Sequence, residues 1–500
     1  MARPASFALA SISGVLLALS FPGLGHPAFA WIALTPLLIA LQTGSLWRAF
    51  GLGLTAGAIY FAGTLYWIAR VMAVYGALPV WIAVLVNAAL IAYLSLFPAL
   101  FAVVVRRLVV AAGPTALLVA PVVWVATELG RTYLLTGFPW VLLGYSQAFT
   151  LPIAQFASIL GVYGLSALVA AVSASLACAA VQRSYAPAAA TFTILLLIAA
   201  WGAVRVGRAE LTRLGEPVRV GLVQGNVDQA EKWDPARATS IFARHLALSE
   251  QAIDDGAELV VWPESSTPFT FERDQGAADA VRDLARESGV PILLGSDEVD
   301  RTESRYYNSA YLVRSDGMTG GVYRKMHLVP FGEYVPLRRL LFFAAPLVET
   351  VSDFSPGDSA TVFTLNGHRL STAICYEVVY QDLVRRMVVG GSELLTTITN
   401  DAWFGETTAP YQHFAQAALR AVENGRYLVR AANTGISGVV DPYGRVLTST
   451  PIFEAAVVVG EARFLTGSTV YTRVGDALAY ASVLATVVML IVTRRRVRYR

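Results

Sequence analysis

The distribution of apolar residues divides this chain into two parts and limits its fold more than any other feature. Residues 1 to about 205 form nearly unbroken apolar segments, residues from about 215 to 465 have a mixed composition, and a last apolar run covers about 475–493. In the whole chain 55% of residues are hydrophobic and 15% are charged, whereas a soluble globular chain carries about 25% charged residues. The pattern predicts a membrane protein with one extramembrane domain. The sequence has no long basic run with interleaved aromatic residues, so it does not indicate a nucleic-acid partner.

The apolar segments predict eight membrane spans, because a helix needs about 20 apolar residues to cross a bilayer. The candidate spans are 6–24, 27–43, 49–69, 79–105, 114–130, 152–182, 187–205 and 475–493. We therefore expect a transmembrane domain with seven helices over 1–210, a final transmembrane helix over 475–493 and a basic tail over 494–500.

The arginine residues predict how these spans are oriented, since positive charge favours the cytoplasmic side. With a cytoplasmic N-terminus, the positions that lie inside are Arg3, Arg48, Arg106, Arg107, Arg183 and the tail, whereas the outer loops carry chiefly Arg70 and Arg131. This places the polar domain outside and both termini in the cytoplasm. The first segment also resembles a signal peptide ending at Ala28-Phe29-Ala30, but further spans follow it, so we expect an uncleaved helix.

The polar part, 215–465, has alternating strand and helix patterns. Strands are predicted at 218–226, 258–264, 289–298, 308–315, 368–377 and 393–401, helices at 236–254 and 410–425, and a strand pair turning at 441–445. Such alternation is typical of a layered α/β domain. The two cysteines, Cys178 and Cys375, lie in the apolar and polar parts respectively, so we expect two free thiols.

Three polar residues lie at the ends of hydrophobic strands or in adjacent loops: Glu264, Lys325 and Cys375. A carboxylate, an amine and a thiol suit acyl transfer, with Glu264 as general base for the Cys375 thiol. Lys325 and the N–H of Tyr376 are candidates to stabilise an oxyanion. Taken singly, each residue also has a structural interpretation: a buried hydrophobic cysteine, a capping glutamate and a solvated lysine.

Other polar residues are weaker candidates. His327 and His413 have no partner at metal-ligand spacing, so we expect neither a metal nor another cofactor. Asn400-Asp401 is a candidate for the floor of a substrate pocket, and Asn433-Thr434-Gly435 is predicted to form a turn. Glu128 and Arg131 lie close to the predicted membrane boundary and are interpreted as interfacial or functional.

The sequences around the three candidate residues resemble the nitrilase superfamily, with its Glu-Lys-Cys triad. The matching strings are Pro263-Glu264, the run 324–333 (RKMHLVPFGE), and Ile374-Cys375-Tyr376-Glu377. Together with seven spans, an outer domain and a closing span, the chain resembles the apolipoprotein N-acyltransferase family over essentially its whole length. Further similar strings are Ser20-Phe21-Pro22, Gly137-Phe138-Pro139-Trp140, LVQGN (222–226), Lys232-Trp233, GEYVP (332–336) and TNDAWFG (399–405).

The resemblance implies a nitrilase-like αββα sandwich and a specific reaction. An acyl chain passes from a phospholipid, typically phosphatidylethanolamine, to a cysteine thioester. It then moves to the α-amino group of S-diacylglyceryl-cysteine in a lipoprotein. The family also implies supporting or substrate-binding roles for Glu333, Tyr376, Glu377 and Trp233. We expect a monomer in a bacterial inner membrane, with phospholipid and lipoprotein as substrates.

Two alternatives remain open at this point. The domain is also compatible with a membrane-tethered amidase that hydrolyses a small soluble substrate, although such an enzyme would not need the additional spans. A binding or scaffold protein with an inactive domain is the other alternative, and the joint presence of Glu264, Lys325 and Cys375 argues against it.

Overall fold

The computed structural model describes residues 3–23, 25–76, 78–300, 305–330, 332–334 and 354–497. Its helices are α1 (Arg3–Ala18), α2 (Ala30–Ala33), α3 (Thr35–Ala40), α4 (Leu46–Leu65), α5 (Trp67–Val74), α6 (Val80–Ala112), α7 (Ala120–Tyr133), α8 (Leu151–Ala154), α9 (Ala157–Gln182), α10 (Ala186–Arg208), α11 (Pro235–Asp254), α12 (Gln275–Ser288), α13 (Gln381–Val389), α14 (Ala409–Asn424), α15 (Val470–Val474) and α16 (Ala477–Val497). The predicted positions Phe331, Val335, Pro336, Arg498 and Arg500 lie outside the described residues.

The strands all belong to the polar part of the chain. They are β1 (Pro217–Gln224), β2 (Leu259–Val261), β3 (Ile292–Asp300), β4 (Arg305–Val313), β5 (Thr319–Arg324), β6 (Phe363–Leu365), β7 (His368–Ile374), β8 (Leu394–Thr399), β9 (Leu428–Ala432), β10 (Gly438–Val440), β11 (Val446–Ser449) and β12 (Ala456–Arg463). The chain forms two compact units, one comprising 1–70, 79–208 and 474–500, the other 71–78 and 209–473.

The first unit contains the long apolar helices. Among the described residues, the segments long and apolar enough to cross a membrane are Val80–Ala112, Pro114–Thr136, Ala157–Gln182, Ala186–Arg213 and Ala477–Arg494, and a sixth is the pair Leu46–Leu65 and Trp67–Val74, bent by 51°. The first two predicted spans contain shorter helices, Arg3–Ala18 and Pro27–Ala40. The 16 residues of α1 extend about 24 Å, less than the hydrocarbon thickness of about 30 Å. Helix length therefore does not confirm eight spans, and that number stays a prediction.

Small residues let the helices of the first unit approach one another closely. A Cβ at Gly53 of α4 would lie 2.3 Å from the carbonyl oxygen of Pro98 in α6. A Cβ at Gly14 of α1 would lie 2.6 Å from the carbonyl oxygen of Ala56 in α4. Both distances are far below a van der Waals contact, so these crossings require glycine, as is common where helices pack within a membrane.

The charged residues of α7, Glu128 and Arg131, are both buried, each 3% exposed. Arg131 donates to the carbonyls of Phe138 and Trp140, and Glu128 accepts from the N–H of Leu143 at 2.7 Å. These bonds satisfy backbone groups in the non-helical segment after α7, where unpaired polar groups would be costly. Both side chains therefore stabilise the interior of this unit, and their position near the membrane boundary stays a prediction.

The second unit is built on two mixed six-stranded sheets. Their strand orders are β12-β1-β2-β3-β4-β5 and β11-β10-β9-β8-β7-β6. β1, β2 and β3 run parallel, as do β7, β8 and β9, and the remaining strands are antiparallel. The parallel strands β2, β8 and β9 are completely buried, as expected for parallel strands in sheets that are covered on both faces.

The two sheets pack face to face and helices cover their outer faces. A Cβ at Gly460 in β12 would lie 2.8 Å from Cγ2 of Val439 in β10, so the sheets are in direct contact. Helices α11 and α12 pack on the first sheet and α13 and α14 on the second. The predicted αββα sandwich is thus confirmed, and both cysteines are free, buried thiols as predicted.

A cluster of buried apolar residues forms the core of the first sheet. It includes Val260 in β2, Trp262 directly after β2, Ile292 and Leu294 in β3, and Val281 in α12. All five are fully buried. This packing fixes the strand ends from which polar side chains extend. Glu264, Cys375 and Asn400 all follow the carboxyl ends of parallel strands, where ligands bind in open α/β sheets.

Candidate active site

Cys375 occupies a strained turn between β7 and a short 3-10 helix, Cys375–Val379. Its φ is +52°, a left-handed conformation that is uncommon for residues other than glycine. Ser265, which follows Glu264, is similarly strained at +45°. Strained backbone at the ends of two strands indicates a functional site, because such conformations persist only where the surroundings hold them.

Glu264 and Lys325 are joined in a buried hydrogen-bonded cluster. Oε1 of Glu264 accepts from Nδ2 of Asn308 at 2.7 Å and from Nζ of Lys325 at 3.2 Å. Oε2 accepts from the backbone N–H of Asn400 at 2.8 Å. Glu264 is 6% and Lys325 1% exposed. The carboxylate is therefore held in one orientation by donors from three separate elements.

Glu333 completes this cluster and is not a surface carboxylate. Its Oε1 accepts from Nζ of Lys325 at 2.8 Å and from Nδ2 of Asn308 at 3.1 Å, and its Oε2 accepts from the N–H of Val329. Lys325 thus lies between two carboxylates. The side-chain amide of Asn308 connects both carboxylates, and its backbone carbonyl accepts from the backbone N–H of Lys325.

The charges of this cluster determine the protonation of the three candidate residues. Burial alone would raise the pKa of Glu264, but Lys325 and Lys232 hold it below its ordinary value. Burial alone would lower the pKa of Lys325, but Glu264 and Glu333 raise it well above its ordinary value. Burial and the charge of Glu264 raise the pKa of the Cys375 thiol. At neutral pH the site therefore holds an ionised base, a cation and a neutral thiol.

Lys232 is a second buried cation at the site. Its Nζ donates to the backbone carbonyl of Glu264 at 3.2 Å and it is 5% exposed. Burial lowers its pKa. Lys232 and Lys325 are the only two lysines in the sequence, and both donate to Glu264. The scarcity of lysine in an arginine-rich chain was the signal that could have identified Lys232 from the sequence.

Glu377 connects the segment after Lys325 to the turn that contains Cys375. It is completely buried, and its carboxylate accepts from the N–H groups of Met326, His327 and Ile374 and from the hydroxyl of Tyr323. Burial raises its pKa to about 7. Since its donors lie on both sides of the site, Glu377 acts through position, fixing Lys325 relative to Cys375.

We expect Glu377→Gln to destabilise the domain by about 2 kcal/mol, because the new NH₂ group must face donors and leave one of them unsatisfied. The apparent melting temperature of the full-length protein in detergent should fall by about 6 °C. The exposed Glu250 on α11 provides the control, since Glu250→Gln should leave it unchanged. Equal melting temperatures for the two variants would contradict the bracing role of Glu377.

A second buried network holds the backbone of Cys375. Nε2 of His413 donates to the carbonyl oxygen of Cys375 at 3.2 Å. Asp401 Oδ1 lies 3.0 Å from Nδ1 of His413, and Arg430 donates to Oδ2 at 2.8 Å. Burial lowers the pKa of His413, so the ring is neutral. The carbonyl can only accept, which requires the proton on Nε2. Nδ1 of the neutral ring is then an acceptor, and Arg430 donates to it at 3.0 Å. His413 therefore positions Cys375, and Asp401 acts through Arg430, a role the sequence did not reveal.

The remaining predicted residues lie at different depths. Tyr376 is buried, and its ring is 5.9 Å from that of His327 and 5.3 Å from that of Tyr380. His327 is packed 3.7 Å from the Tyr380 ring, and burial lowers its pKa to about 4. Trp233 is 50% exposed, with the Lys232 ammonium 5.7 Å from its ring centroid. The described part of the chain contains no group of three or more metal-ligating side chains.

Each of the two parts of the chain matches a known protein family. Residues 219–465 match the carbon-nitrogen hydrolase family, and residues 13–175 match the apolipoprotein N-acyltransferase N-terminal domain. Among solved structures, a nitrilase-superfamily protein from Saccharomyces cerevisiae covers 50% of this chain and 90% of its own, with 19% identity and a TM-score of 0.40. An amidase of the same superfamily from Nesterenkonia covers 54% and 97%, with 22% identity and a TM-score of 0.41.

Two relatives that match nearly the whole chain are both apolipoprotein N-acyltransferases. The apolipoprotein N-acyltransferase of Geobacter metallireducens is 42% identical over 498 residues, which is 98% of this chain and 95% of that protein. The apolipoprotein N-acyltransferase of Methylococcus capsulatus is 34% identical over 94% of this chain and 92% of that protein. Because these likenesses include both the apolar part and the αββα domain, the chain belongs to the apolipoprotein N-acyltransferase family.

Proposed function

We propose that this protein transfers an acyl chain from a membrane phospholipid, through a thioester on Cys375, to the N-terminal amine of S-diacylglyceryl-cysteine in apolipoproteins. The observation that carries the proposal is the buried Glu264–Lys325 pair, whose charges act on the Cys375 thiol, in a chain of this family. Both substrates are lipids, which accounts for an apolar part of about 200 residues.

In the first half-reaction Glu264 takes the thiol proton as the sulfur attacks the ester carbonyl of the phospholipid. Lys325 and the N–H of Tyr376 stabilise the oxyanion. The ester C–O bond then breaks, and Glu264 returns the proton to the departing glycerol oxygen. The products are a lysophospholipid and the thioester. A neutral resting thiol requires such a base, and the ionised Glu264 meets this requirement.

In the second half-reaction the neutral amine of the lipoprotein attacks the thioester carbonyl. Glu264 takes a proton from the amine, the C–S bond breaks, and Glu264 passes that proton to the departing thiolate, which restores the neutral thiol and the ionised carboxylate. The burial of Cys375, Glu264 and Lys325 favours the amine over water, since a desolvated site limits hydrolysis of the intermediate. The reaction is thus ping-pong and needs no cofactor.

The other predicted residues have supporting roles in this proposal. Glu333 and Asn308 hold Lys325 charged and in place, and Glu377 fixes the segment after Lys325 to the turn that contains Cys375. The exposed indole of Trp233 offers an apolar surface for a lipid substrate beside Lys232. Removing a CH₂ group of an acyl chain from water is favourable by about 0.8 kcal/mol, so a half-exposed tryptophan is a suitable contact for such a chain.

The two half-reactions should differ in their dependence on pH. The pKa of Glu264 lies below and that of Lys325 above its ordinary value, so neither group should make thioester formation vary between about pH 6 and 9. The pKa of Glu377 lies within this range, at about 7, and because Glu377 acts only by bracing the site we expect its effect on this rate to be less than tenfold. Transfer should increase with pH through about 8, because the α-amino group must be neutral to attack. Single-turnover labelling and chase experiments would measure the two rates separately. A tenfold rise per pH unit in thioester formation would instead indicate a preformed thiolate.

The proposal is tested by replacing Cys375 with serine in a strain that has no second such enzyme. We expect the variant to insert at the wild-type level and to yield only diacylated lipoproteins, as measured by mass spectrometry of their N-terminal peptides. Normal triacylation by Cys375→Ser would overturn the proposal. Hydrolysis of soluble amides by the wild-type protein, without acyl transfer, would favour the tethered amidase. A Cys375 that never reacts with alkylating reagents would favour an inactive binding protein.

The membrane arrangement is part of the same proposal. We propose eight spans in a bacterial inner membrane, the catalytic domain on the outer face, both termini in the cytoplasm, and a monomeric enzyme. The arginine distribution supports this orientation. A cysteine introduced at Glu250 should react with a membrane-impermeant maleimide from the outer side, whereas one at Ser184 should not. The reverse pattern would contradict the orientation.

A further inference from the structure

A groove lined by arginine residues lies in the second unit, away from the candidate active site. Its volume is about 650 Å³, and its lining includes Arg369, Arg385, Arg426 and Arg473 together with one carboxylate, Glu393. This volume is in the range of small-molecule sites. Four cations against one carboxylate give the groove a strong positive potential.

The groove and Cys375 lie at opposite ends of the strands of the second sheet. Arg369 is at the start of β7 and Cys375 directly follows its end. At about 3.3 Å per residue, the six intervening steps separate them by about 20 Å. Glu393 and Arg426 likewise precede β8 and β9, whereas Asn400 follows β8. The groove is therefore a separate site and not an extension of the acyl-transfer centre.

Arg426 is the buried anchor of the groove. It is 3% exposed, and its Nε and Nη1 donate to the backbone carbonyls of Ser392 and Gly467 at 2.9 and 2.6 Å. Burial lowers its pKa to about 10, so it remains charged at neutral pH. Carbonyls fix the guanidinium but do not neutralise it, and the charge of Glu393 in the same lining opposes the effect of burial on its pKa.

The other arginines are compensated to different degrees. Arg385 is paired with Asp382 at 3.0 Å. Arg369 donates to the carbonyl of Gly390 at 2.8 Å, and within the described part of the chain no carboxylate is paired with Arg369, Arg426 or Arg473. Guanidinium groups bind phosphate oxygens through paired hydrogen bonds. The chemistry of the groove therefore fits a phosphate group.

One residue of the groove, Arg473, lies close in sequence to a predicted membrane span. Arg473 precedes Ala477, where α16 begins, by four residues, so the chain length limits their separation to about 14 Å. Lipid headgroups carry their phosphates at the membrane surface, where a span ends. We propose that the groove binds the phosphate of an anionic phospholipid headgroup, independently of the acyl-transfer reaction.

The test compares lipid retention by the full-length protein in detergent, measured by native mass spectrometry with added phosphatidylglycerol. Arg369→Gln/Arg473→Gln should weaken retention about tenfold, since two of the four positive charges that line the groove are lost. The control is Arg237→Gln/Arg286→Gln, which removes the same charge from exposed positions on α11 and α12 and should match wild type. Acyl transfer in detergent should be unchanged in both variants.

Three outcomes would overturn the inference. Equal loss of phosphatidylglycerol in both double variants would indicate a general charge effect. Equally tight binding of phosphatidylcholine, whose headgroup has no net charge, would exclude selection for an anionic lipid. Displacement of the lipid by an equimolar concentration of inorganic phosphate would identify free phosphate as the ligand.

Discussion

Glu264→Gln is expected to slow thioester formation by about 10²–10⁴-fold, the usual contribution of a general base. The glutamine fills the same space but cannot accept the thiol proton. The high pKa of the Cys375 thiol makes this loss large, since little thiolate exists without the base. The measurement is the single-turnover rate of labelling of the full-length protein by a phospholipid with a labelled acyl chain.

Glu333→Gln is the matched control for this variant. Glu333 also accepts a hydrogen bond from Nζ of Lys325, so both substitutions remove a carboxylate from the same cation. We expect Glu333→Gln to retain much more activity, with a loss of about tenfold, because Glu333 acts through Lys325. Equal losses in the two variants would show that Glu264 acts only as a charge partner of Lys325.

Lys325→Met is expected to reduce both activity and stability. Loss of an oxyanion donor costs about 10²–10³-fold in rate. Two buried carboxylates, Glu264 and Glu333, also lose their shared cation, and removing one partner of a buried pair costs about 3–5 kcal/mol. The apparent melting temperature should therefore fall by about 10 °C, a larger decrease than for Glu377→Gln.

The double variant Glu333→Gln/Lys325→Met separates these two effects. Removing one of the uncompensated carboxylates should restore part of the melting temperature, while thioester formation should remain at the level of Lys325→Met. Recovery of activity together with stability would indicate that Lys325 has a structural role only. Retention of full activity in Lys325→Met would contradict its assignment to the oxyanion.

The sequence predicted the parts of this fold that carry strong apolar patterns. The strands around Val260, Leu294 and Ile374 are buried runs, and α11 and α14 have clear ends at Asp234 and Gly425, so these elements were predicted. The strands β5, β6 and β12 and the helices α12 and α13 were not. β6 has three residues and β5 contains two glycines, and their pairing with distant strands, which local pattern does not encode, stabilises them.

The same distinction applies to the site. Glu264, Lys325 and Cys375 are recognisable because each lies beside a strand end with a distinctive flanking sequence. Asn308 was missed because it lies within a strand, and its role depends on two carboxylates that are 44 and 25 residues away. The contact of His413 with the Cys375 carbonyl spans 38 residues. Such partners are determined by sheet order and not by spacing, which is why local sequence did not reveal them.

The most direct test of the account is to identify the acyl-enzyme. Purified full-length protein would be incubated with a phospholipid carrying a labelled acyl chain, without an acceptor, and the label mapped by mass spectrometry. We predict a hydroxylamine-labile acyl group on Cys375 that is absent from Cys375→Ser. The absence of label on Cys375, under conditions in which its thiol can be alkylated, would contradict the acyl-transfer mechanism.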